Sequence, residues 1–350
     1  MNRLPLARRT AAALLLSAAL LAGCSKAAPS PSDAAAPPAG ATKPSGSYIA
    51  LAVEPGTLSL SPGAKKQVTV SGVKKDQSKQ PLAGDKSLTL SSSAPDIVTA
   101  AADGTIAASA QAKTGQTAIV TVQYGSLKKD IPVTVKTSLD DTIATVGGVP
   151  TVTNPDALDV VVNKQRSMPG TYIPKLIEPN VPFTFKEKSE KRMMRPEAAG
   201  ALEQLFAAAK KDGIQLYGIS AYRSYATQKS IFGGNVKSQG EQTASQFSAK
   251  PGQSEHQTGL AIDVGDGNPK CAVEQCFADS PAAKWLVAHA ADFGFIIRYP
   301  KGKESITGYE YEPWHIRYVG VDVAKEIAKQ GITLEEYFQD AVAAGTKPKQ

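Results

Sequence analysis

Residues 254–263 read SEHQTGLAID, and the second half of this stretch alternates in the way a β-strand does. Because successive side chains of a strand point to opposite faces, Leu260 is predicted to face a core while Asp263 faces the other way. Gly259 can adopt positive φ and therefore allows the chain to turn just before the strand. His256 precedes that turn, so the pattern predicts that His256 and Asp263 approach one another.

A second alternating stretch lies downstream, where residues 311–319 read YEPWHIRYV. The same two-residue period puts His315 and Arg317 on one face of a strand and the apolar residues between them on the other. Pro313 cannot donate to a strand ladder, so it interrupts the pairing there. Glu312 is therefore displaced from the regular strand, and we expect it to approach the His315 side from a different angle.

His256, Asp263 and His315 are two imidazoles and one carboxylate, which is the usual protein ligand set of a catalytic zinc. Zinc lowers the pKa of bound water to about 7, and a carboxylate that is not a ligand, such as Glu312, can transfer the proton. Taken singly, each residue also has a structural interpretation, as a hydrogen-bonded core histidine or as an aspartate that closes a turn. His289 lies in a predicted helix without such partners and is interpreted as structural.

The segments around these two stretches alternate irregularly between helix and strand. Residues 195–213 have apolar side chains at helical spacing and end at Gly213, and residues 280–295 begin with Ser280 and Pro281, a common helix start. Predicted strands cover 214–224, 295–300 and 313–321. This pattern predicts an α+β domain with a small antiparallel sheet flanked by helices, long enough to bury a core.

The two stretches carry a resemblance to a known family. SEHQTGLAID matches the signature Ser-x-His-x-x-Gly-x-Ala-x-Asp, and EPWH matches Glu-x-Trp-His, of zinc D-alanyl-D-alanine carboxypeptidases of the VanY type, in peptidase family M15 (the LAS metallopeptidases). The segments VVNKQRSMPGTYIP, ISAYRSYATQ and GFIIRYP are also similar to that family. The resemblance extends from about residue 158 to residue 322, and the two paired motifs are highly specific.

The resemblance implies a role for particular residues. It implies one zinc ion per chain on His256, Asp263 and His315, a general base at Glu312, and an arginine at Arg223 that supports the substrate carbonyl and its oxyanion. A fixed guanidinium aimed at developing negative charge is worth most in a dry pocket; the structural alternative for Arg223 is a surface salt bridge. Four further residues are expected to form the walls of the substrate pocket: Tyr222, Gln228, Ser254 and Trp314.

The first 24 residues resemble the signal peptide of a bacterial lipoprotein. Three arginines precede an apolar run that is too short to span a bilayer, and the run ends in LAGC, which is similar to a lipobox with Cys24 as the lipidated residue. The alternative is an ordinary signal peptide in which Cys24 is incidental. We therefore expect an exported protein, lipid-anchored to the outer face of the bacterial cell membrane.

Composition divides the remainder of the chain. Residues 25–47 are Ala, Pro, Ser and Gly without large apolar side chains, which is typical of a disordered linker. Residues 48–136 contain short alternating strands rich in Val and Thr, and they resemble a bacterial Ig-like domain of group 2. Residues 137–150 form a second linker, and 151–345 are predicted to be the peptidase domain.

Charge and cysteine usage limit the partners. The net charge of +7 is spread along the chain without a basic block interleaved with aromatics, so nucleic-acid binding is not predicted. In an exported protein Cys271 and Cys276 can be oxidised, and we expect a local disulfide; their spacing does not fit a zinc pair. We expect a monomer whose substrate is a peptidoglycan stem peptide.

Other functions remain open at this point. The same zinc machinery could act as an L,D-carboxypeptidase on tetrapeptide stems, or the chain could be a non-catalytic wall-binding lipoprotein. SLKK at 126–129 and KTG at 113–115 look like motifs of serine D,D-peptidases. Their order is reversed and Ser126 does not open a predicted helix, so we interpret both as accidental.

Overall fold

The computed structural model describes residues 48–344. The predicted signal peptide, Cys24 and the whole of the predicted linker 25–47 therefore lie outside the described residues. None of the helices in the described range combines the length and the apolar composition that crossing a membrane requires.

The first part of the described chain is built from strands alone. The strands are β1 (Ala50–Glu54), β2 (Leu58–Leu60), β3 (Lys65–Gln67), β4 (Thr69–Val73), β5 (Lys79–Pro81), β6 (Leu88–Ser92), β7 (Val98–Ala100), β8 (Thr105–Ala108), β9 (Thr117–Tyr124) and β10 (Leu127–Val135). They form three sheets, with the orders β1-β4-β5, β3-β8-β7 and β2-β10-β9-β6.

Alternation along these strands produces their common core. Val120 and Val122 of β9 and Ile131 and Val133 of β10 are fully or almost fully buried, whereas Ile119 on the opposite face of β9 is 48% exposed. Residues from all three sheets contribute to this one apolar cluster. The prediction of an all-β region is therefore confirmed.

A hairpin, β11 (Ile143–Val146) and β12 (Val149–Val152), leads into the second part of the chain. There a four-stranded sheet has the order β13-β14-β16-β15, and every neighbouring pair is antiparallel. The elements are α1 (Pro196–Lys211), β13 (Tyr217–Ser220), α2 (Tyr225–Gln239), α3 (Glu241–Phe247), β14 (Ala261–Gly265), α4 (Pro281–His289), β15 (Phe295–Tyr299), α5 (Glu304–Thr307), β16 (Glu312–Tyr318), α6 (Val321–Gln330), α7 (Leu334–Phe338) and β17 (Ala341–Val342).

The two faces of this sheet differ in character. Leu260, Ile262 and Val264 from the β14 segment pack in the same cluster as apolar residues of α1 and α4, including Leu202 and Leu286. These side chains are fully buried. The helices thus cover one face, and the polar residues that alternate with the apolar ones are directed to the other face. This is the α+β arrangement that the sequence predicted.

Some predicted boundaries were wrong. The helix expected over 280–295 ends at His289 and continues as a 3-10 turn over Ala290–Phe293. The strand expected over 214–224 is reduced to Tyr217–Ser220, because the chain leaves the sheet at Ala221 to begin α2 at Tyr225.

The end of the described chain returns to the all-β part. β17 pairs in parallel with β2 and so extends the sheet that also contains β10 and β9. Beside it, the Ser59 hydroxyl donates to Asp340 at 2.7 Å. The buried Lys136 lies 3.2 Å from Glu326 of α6. Segments from opposite ends of the described chain are thus hydrogen-bonded to each other.

Candidate active site

Strand register brings the first two candidate residues together. Asp263 of β14 pairs directly with His315 of β16, and His315 Nδ1 lies 3.0 Å from Asp263 Oδ1. His256 comes from a 3-10 turn over Glu255–Thr258, and its Nε2 lies 3.4 Å from the other oxygen of Asp263. Gly259 ends that turn with a φ of +70°, as its conformational freedom predicted.

A backbone contact orients His256. Its Nδ1 lies 2.6 Å from the carbonyl oxygen of Ala221, an acceptor, so Nδ1 carries the proton and donates it. Nε2 is then the nitrogen with a free lone pair, and it is the one that faces Asp263. His256 can therefore offer that nitrogen to a metal without losing its hydrogen bond.

The residues present fit a zinc ion. His256, Asp263 and His315 each offer one ligand atom, these atoms lie within 4.8 Å of one another, and all three residues are buried. Within residues 48–344 this is the one group of His, Cys, Asp and Glu with such a geometry. Two imidazole nitrogens and one carboxylate oxygen are a donor set that zinc accepts, with a further position left for water or substrate.

The charges of this cluster are strongly coupled. Burial by itself would raise the pKa of Asp263, but His256 and His315 hold that pKa well below its usual range. Burial lowers the pKa of His256, against the effect of Asp263. Burial also lowers the pKa of His315, yet its hydrogen bond with Asp263 and the nearby carboxylate of Glu255 raise that pKa to about 9. The pocket thus favours a carboxylate next to a positive charge.

Glu312 is the first residue of β16 and reaches the same cluster. Its Oε2 lies 3.6 Å from His315 Nδ1, and the side chain is 27% exposed. Burial raises the pKa of Glu312 to about 7, although His315 opposes the shift. Glu312 pairs with Tyr299 of β15, and the register of the β15–β16 ladder shifts just before this pair, as expected next to Pro313.

Arg223 lies between β13 and α2. Its Nη1 donates to Gln228 Oε1 at 3.0 Å, and Gln228 in turn donates to the carbonyl of Ala249 at 2.7 Å. The Arg223 Nε is buried and has no hydrogen-bond partner among the described residues. The guanidinium is therefore held on one side and has an unused donor on the other.

A cavity of about 320 Å³ connects these groups. It is lined by most of the residues that the sequence singled out: Arg223, Gln228, Ser254, His256, Asp263, Glu312, Trp314 and His315. Tyr222 is not among the described lining residues. Its side chain is 4% exposed and belongs to the interior instead.

Several lining residues were not expected from the sequence. The rings of Tyr299 and His315 lie 4.9 Å apart, and Tyr309 packs against Tyr299 with 4.7 Å between centroids. Glu255, next to His256, also borders the cavity. Glu255 and Tyr299 belong to the quoted motifs and Tyr309 lies two residues before one of them, so proximity to a motif was the available signal.

The cysteine loop also contributes to the cavity. Cys271 and Cys276 form the predicted disulfide, with 5.4 Å between their Cα atoms. Val273, inside the closed loop, lines the cavity and has a φ of +53°, which is unusual for a β-branched residue. The disulfide-closed loop therefore forms part of the cavity wall.

The serine-peptidase motifs occupy a different setting. Ser126 is exposed in the tight turn that joins β9 to β10, within the all-β part. It opens no helix, whereas a serine nucleophile of that class is expected to do so. This arrangement agrees with the interpretation of the motifs at 126–129 and 113–115 as accidental.

Comparison with known proteins gives four informative matches. The model of the family described as VanY, D-alanyl-D-alanine carboxypeptidase, matches residues 191–321. The YodJ protein of Bacillus subtilis (strain 168), which is named as a carboxypeptidase, is 49% identical over 198 residues, covering 56% of this chain and 72% of YodJ.

Solved structures provide the other two matches. A structure of the LD-carboxypeptidase LdcB is 47% identical with a TM-score of 0.57, and the match covers 59% of this chain and 99% of LdcB. A VanY D,D-pentapeptidase variant in complex with Zn(II) is 33% identical with a TM-score of 0.43, covering 52% of this chain and 98% of that one.

Proposed function

The chain belongs to the VanY family of D-alanyl-D-alanine carboxypeptidases, and from this premise we propose that it is a zinc-dependent hydrolase that removes the C-terminal D-alanine from peptidoglycan stem peptides. One observation carries the proposal. Three metal-binding side chains, a separate carboxylate and a guanidinium with an unused donor all line the same cavity. That is the set of groups that metal-assisted amide hydrolysis requires.

His256, Asp263 and His315 would hold the zinc. When bound, zinc acts as a Lewis acid toward the scissile carbonyl and makes a water molecule more acidic. Glu312 accepts a proton from the attacking water at its carboxylate as the new C–O bond forms. It then donates that proton to the leaving amine, so that the C–N bond breaks and D-alanine departs.

Arg223 and the cavity walls act on the substrate itself. The guanidinium of Arg223 lines the cavity and donates to the oxygen on which negative charge develops, and the Gln228 contact keeps the guanidinium oriented. Ser254 and Trp314 line the cavity beside the cluster and would restrict how the peptide end is seated. Productive orientation of the peptide lowers the activation barrier, because the peptide loses its translational and rotational entropy on binding rather than in the chemical step.

An L,D-carboxypeptidase acting on tetrapeptide stems is the second candidate. It is favoured by the structural match to LdcB, an LD-carboxypeptidase. The two activities share the zinc, the base and the attacked bond type. They differ in the stereochemistry of the residue that precedes the released D-alanine.

The test is incubation of the purified protein with a muramyl pentapeptide and with the corresponding tetrapeptide, followed by mass spectrometry. Loss of one D-alanine from the pentapeptide, blocked by a chelator and restored by zinc, supports the D,D activity. Trimming of the tetrapeptide alone would move the assignment to the L,D class. No trimming of either peptide by zinc-loaded protein would favour a non-catalytic wall-binding lipoprotein.

Location and assembly are part of the proposal. We propose that Cys24 is lipidated after export and that the protein is anchored to the outer face of the cell membrane, with residues 25–47 as a tether and 48–136 as an Ig-like spacer. Metabolic labelling with a fatty acid tests the anchor, since C24A should abolish the label. We also propose a monomer, which light scattering of the unlipidated protein tests.

A further inference from the structure

Glu255 is a buried carboxylate that the proposed reaction does not use. It is the residue before His256 in the 3-10 turn, and it is 1% exposed. Its neighbours Arg298 of β15 and Arg317 of β16 are completely buried. Charged side chains are rarely buried to this extent unless they are paired, so the cluster has a specific arrangement to maintain.

The two oxygens of Glu255 have different surroundings. Oε1 accepts from Arg298 Nε at 2.7 Å and from Arg317 Nη1 at 2.6 Å. Oε2 has no hydrogen-bond partner among the described residues and lies 3.6 Å from His315 Nε2. That nitrogen is buried and equally unpartnered within the described chain. One oxygen is thus anchored, and the other is directed at the imidazole.

Each arginine is itself held in place. Glu335 of α7 accepts from both terminal nitrogens of Arg298, at 2.9 and 2.7 Å. Arg317 Nη2 donates to the carbonyls of Leu158 and Val160, at 2.8 Å each. The guanidinium groups cannot turn without breaking these contacts, and this restricts Glu255 to one orientation.

We propose that Glu255 is a positioning residue that keeps the proton of His315 on Nε2 and so leaves the lone pair of Nδ1 for the metal ion that Asp263 would also bind. The inference rests on the proposed zinc site. The geometry agrees with it, because Nδ1 lies on the side of the ring that faces Asp263, the neighbouring ligand, and Nε2 lies on the side that faces Glu255. A carboxylate behind a histidine ligand fixes the tautomer and the ring orientation, and its loss typically lowers metal affinity.

The substitution E255Q tests the tautomer directly. Both arginines donate to the Oε1 position, so the amide oxygen of glutamine must occupy it, and the NH₂ group then faces His315 Nε2. A donor there favours the proton on Nδ1, which is the wrong nitrogen for ligation. The variant keeps the shape of glutamate but replaces the hydrogen-bond acceptor that faces His315 Nε2 with a donor.

E335Q is the matched control. It removes a carboxylate from the same buried ion network, through Arg298, without touching His315. Both variants should be less stable to denaturation, because each leaves a buried guanidinium with less compensation. Only E255Q should change the metal site if Glu255 positions His315. A purely structural role would make the two variants alike in metal binding.

The measurement is zinc affinity of the full chain by competition with a chromophoric chelator. We expect E255Q to bind zinc about 10- to 100-fold more weakly, and E335Q to bind as the unsubstituted protein does. Equal zinc affinity of E255Q and the unsubstituted protein would overturn the proposal, as would equal losses in both variants. Zinc affinity is measured without any hydrolysis. A failure of this proposal can therefore be distinguished from a failure of the proposed peptidase activity.

If E255Q does not fold, ¹⁵N NMR of the zinc-loaded unsubstituted protein provides the second test. With three histidines in the chain, the imidazole signals can be assigned by substitution. The expected spectrum has the proton of His315 on Nε2 and the metal on Nδ1. Zinc bound through Nε2 of His315 would contradict the proposal.

Discussion

Asp263 and His315 are directly paired residues of two neighbouring antiparallel strands, and their side chains meet at 3.0 Å on the polar face of the sheet. The pair depends on strand register. A shift of β16 by one residue would bring an apolar side chain opposite Asp263 and turn His315 into the core. The helices α1 and α4 bury the other face, so the same apolar packing that stabilises the sheet also sets the metal-binding geometry.

We expect D263N to abolish zinc binding under conditions in which the unsubstituted protein is saturated. The amide is a weaker ligand than the carboxylate that lies between His256 and His315. Removing a group behind a ligand typically lowers metal affinity by about 10- to 100-fold, and loss of the ligand itself should lower zinc affinity by more than that. Metal content after gel filtration measures it. D96N, on an exposed aspartate of the all-β part, is the control and should retain one zinc per chain.

Zinc removal should lower the thermal stability of the protein. A ligand that binds only the folded state stabilises it by about 2.7 kcal/mol at a concentration 100 times its Kd. We therefore expect the melting temperature to fall on chelation and to return when zinc is added. D263N should show no such difference. A melting temperature that is independent of zinc in the unsubstituted protein would contradict a site formed by His256, Asp263 and His315.

E312Q should separate catalysis from metal binding. Loss of a positioned proton acceptor typically reduces turnover by about 10²–10⁴-fold, whereas Glu312 is not one of the proposed ligands and zinc content should stay at one per chain. E310Q is the matched control, because Glu310 is exposed two residues earlier. Activity of E312Q equal to that of E310Q would exclude Glu312 as the base.

R223K should lower kcat more than it raises KM. Lysine keeps the charge but lacks the planar, forked guanidinium with which Arg223 donates to Gln228 while lining the cavity. Removing one oxyanion donor typically costs about 10²–10³-fold in kcat. K229R, a swap at an exposed position of α2, should leave both constants unchanged. A loss confined to KM would assign Arg223 to ground-state binding instead.

Opening the disulfide should weaken substrate binding. Replacing Cys271 and Cys276 by serine removes a short loop closure, at a cost of about 2 kcal/mol in unfolding free energy, and releases Val273 from the cavity wall. We expect a higher KM with kcat little changed. V273A with both cysteines intact tests the side chain alone. If neither variant changes KM, the loop does not contact the substrate.

Much of the metal site could be predicted from the sequence. The two-residue period put Asp263 and His315 on polar strand faces, Gly259 predicted the turn that carries His256, and Pro313 predicted the offset of Glu312. Each inference uses only neighbours along the chain, because local sterics fix which face a strand residue occupies. The motif resemblance then added Arg223, which local periodicity does not identify.

Tertiary structure decided what lies behind and around that site. Glu255 meets Arg298 and Arg317 across sequence separations of 43 and 62 residues. Val273 reaches the cavity, Tyr222 does not, and Asp340 is hydrogen-bonded to Ser59 across 281 residues. Periodicity determines the direction of a side chain but not its partner. The partner depends on which distant segments pack together, and that is a property of the whole chain's burial and hydrogen bonding.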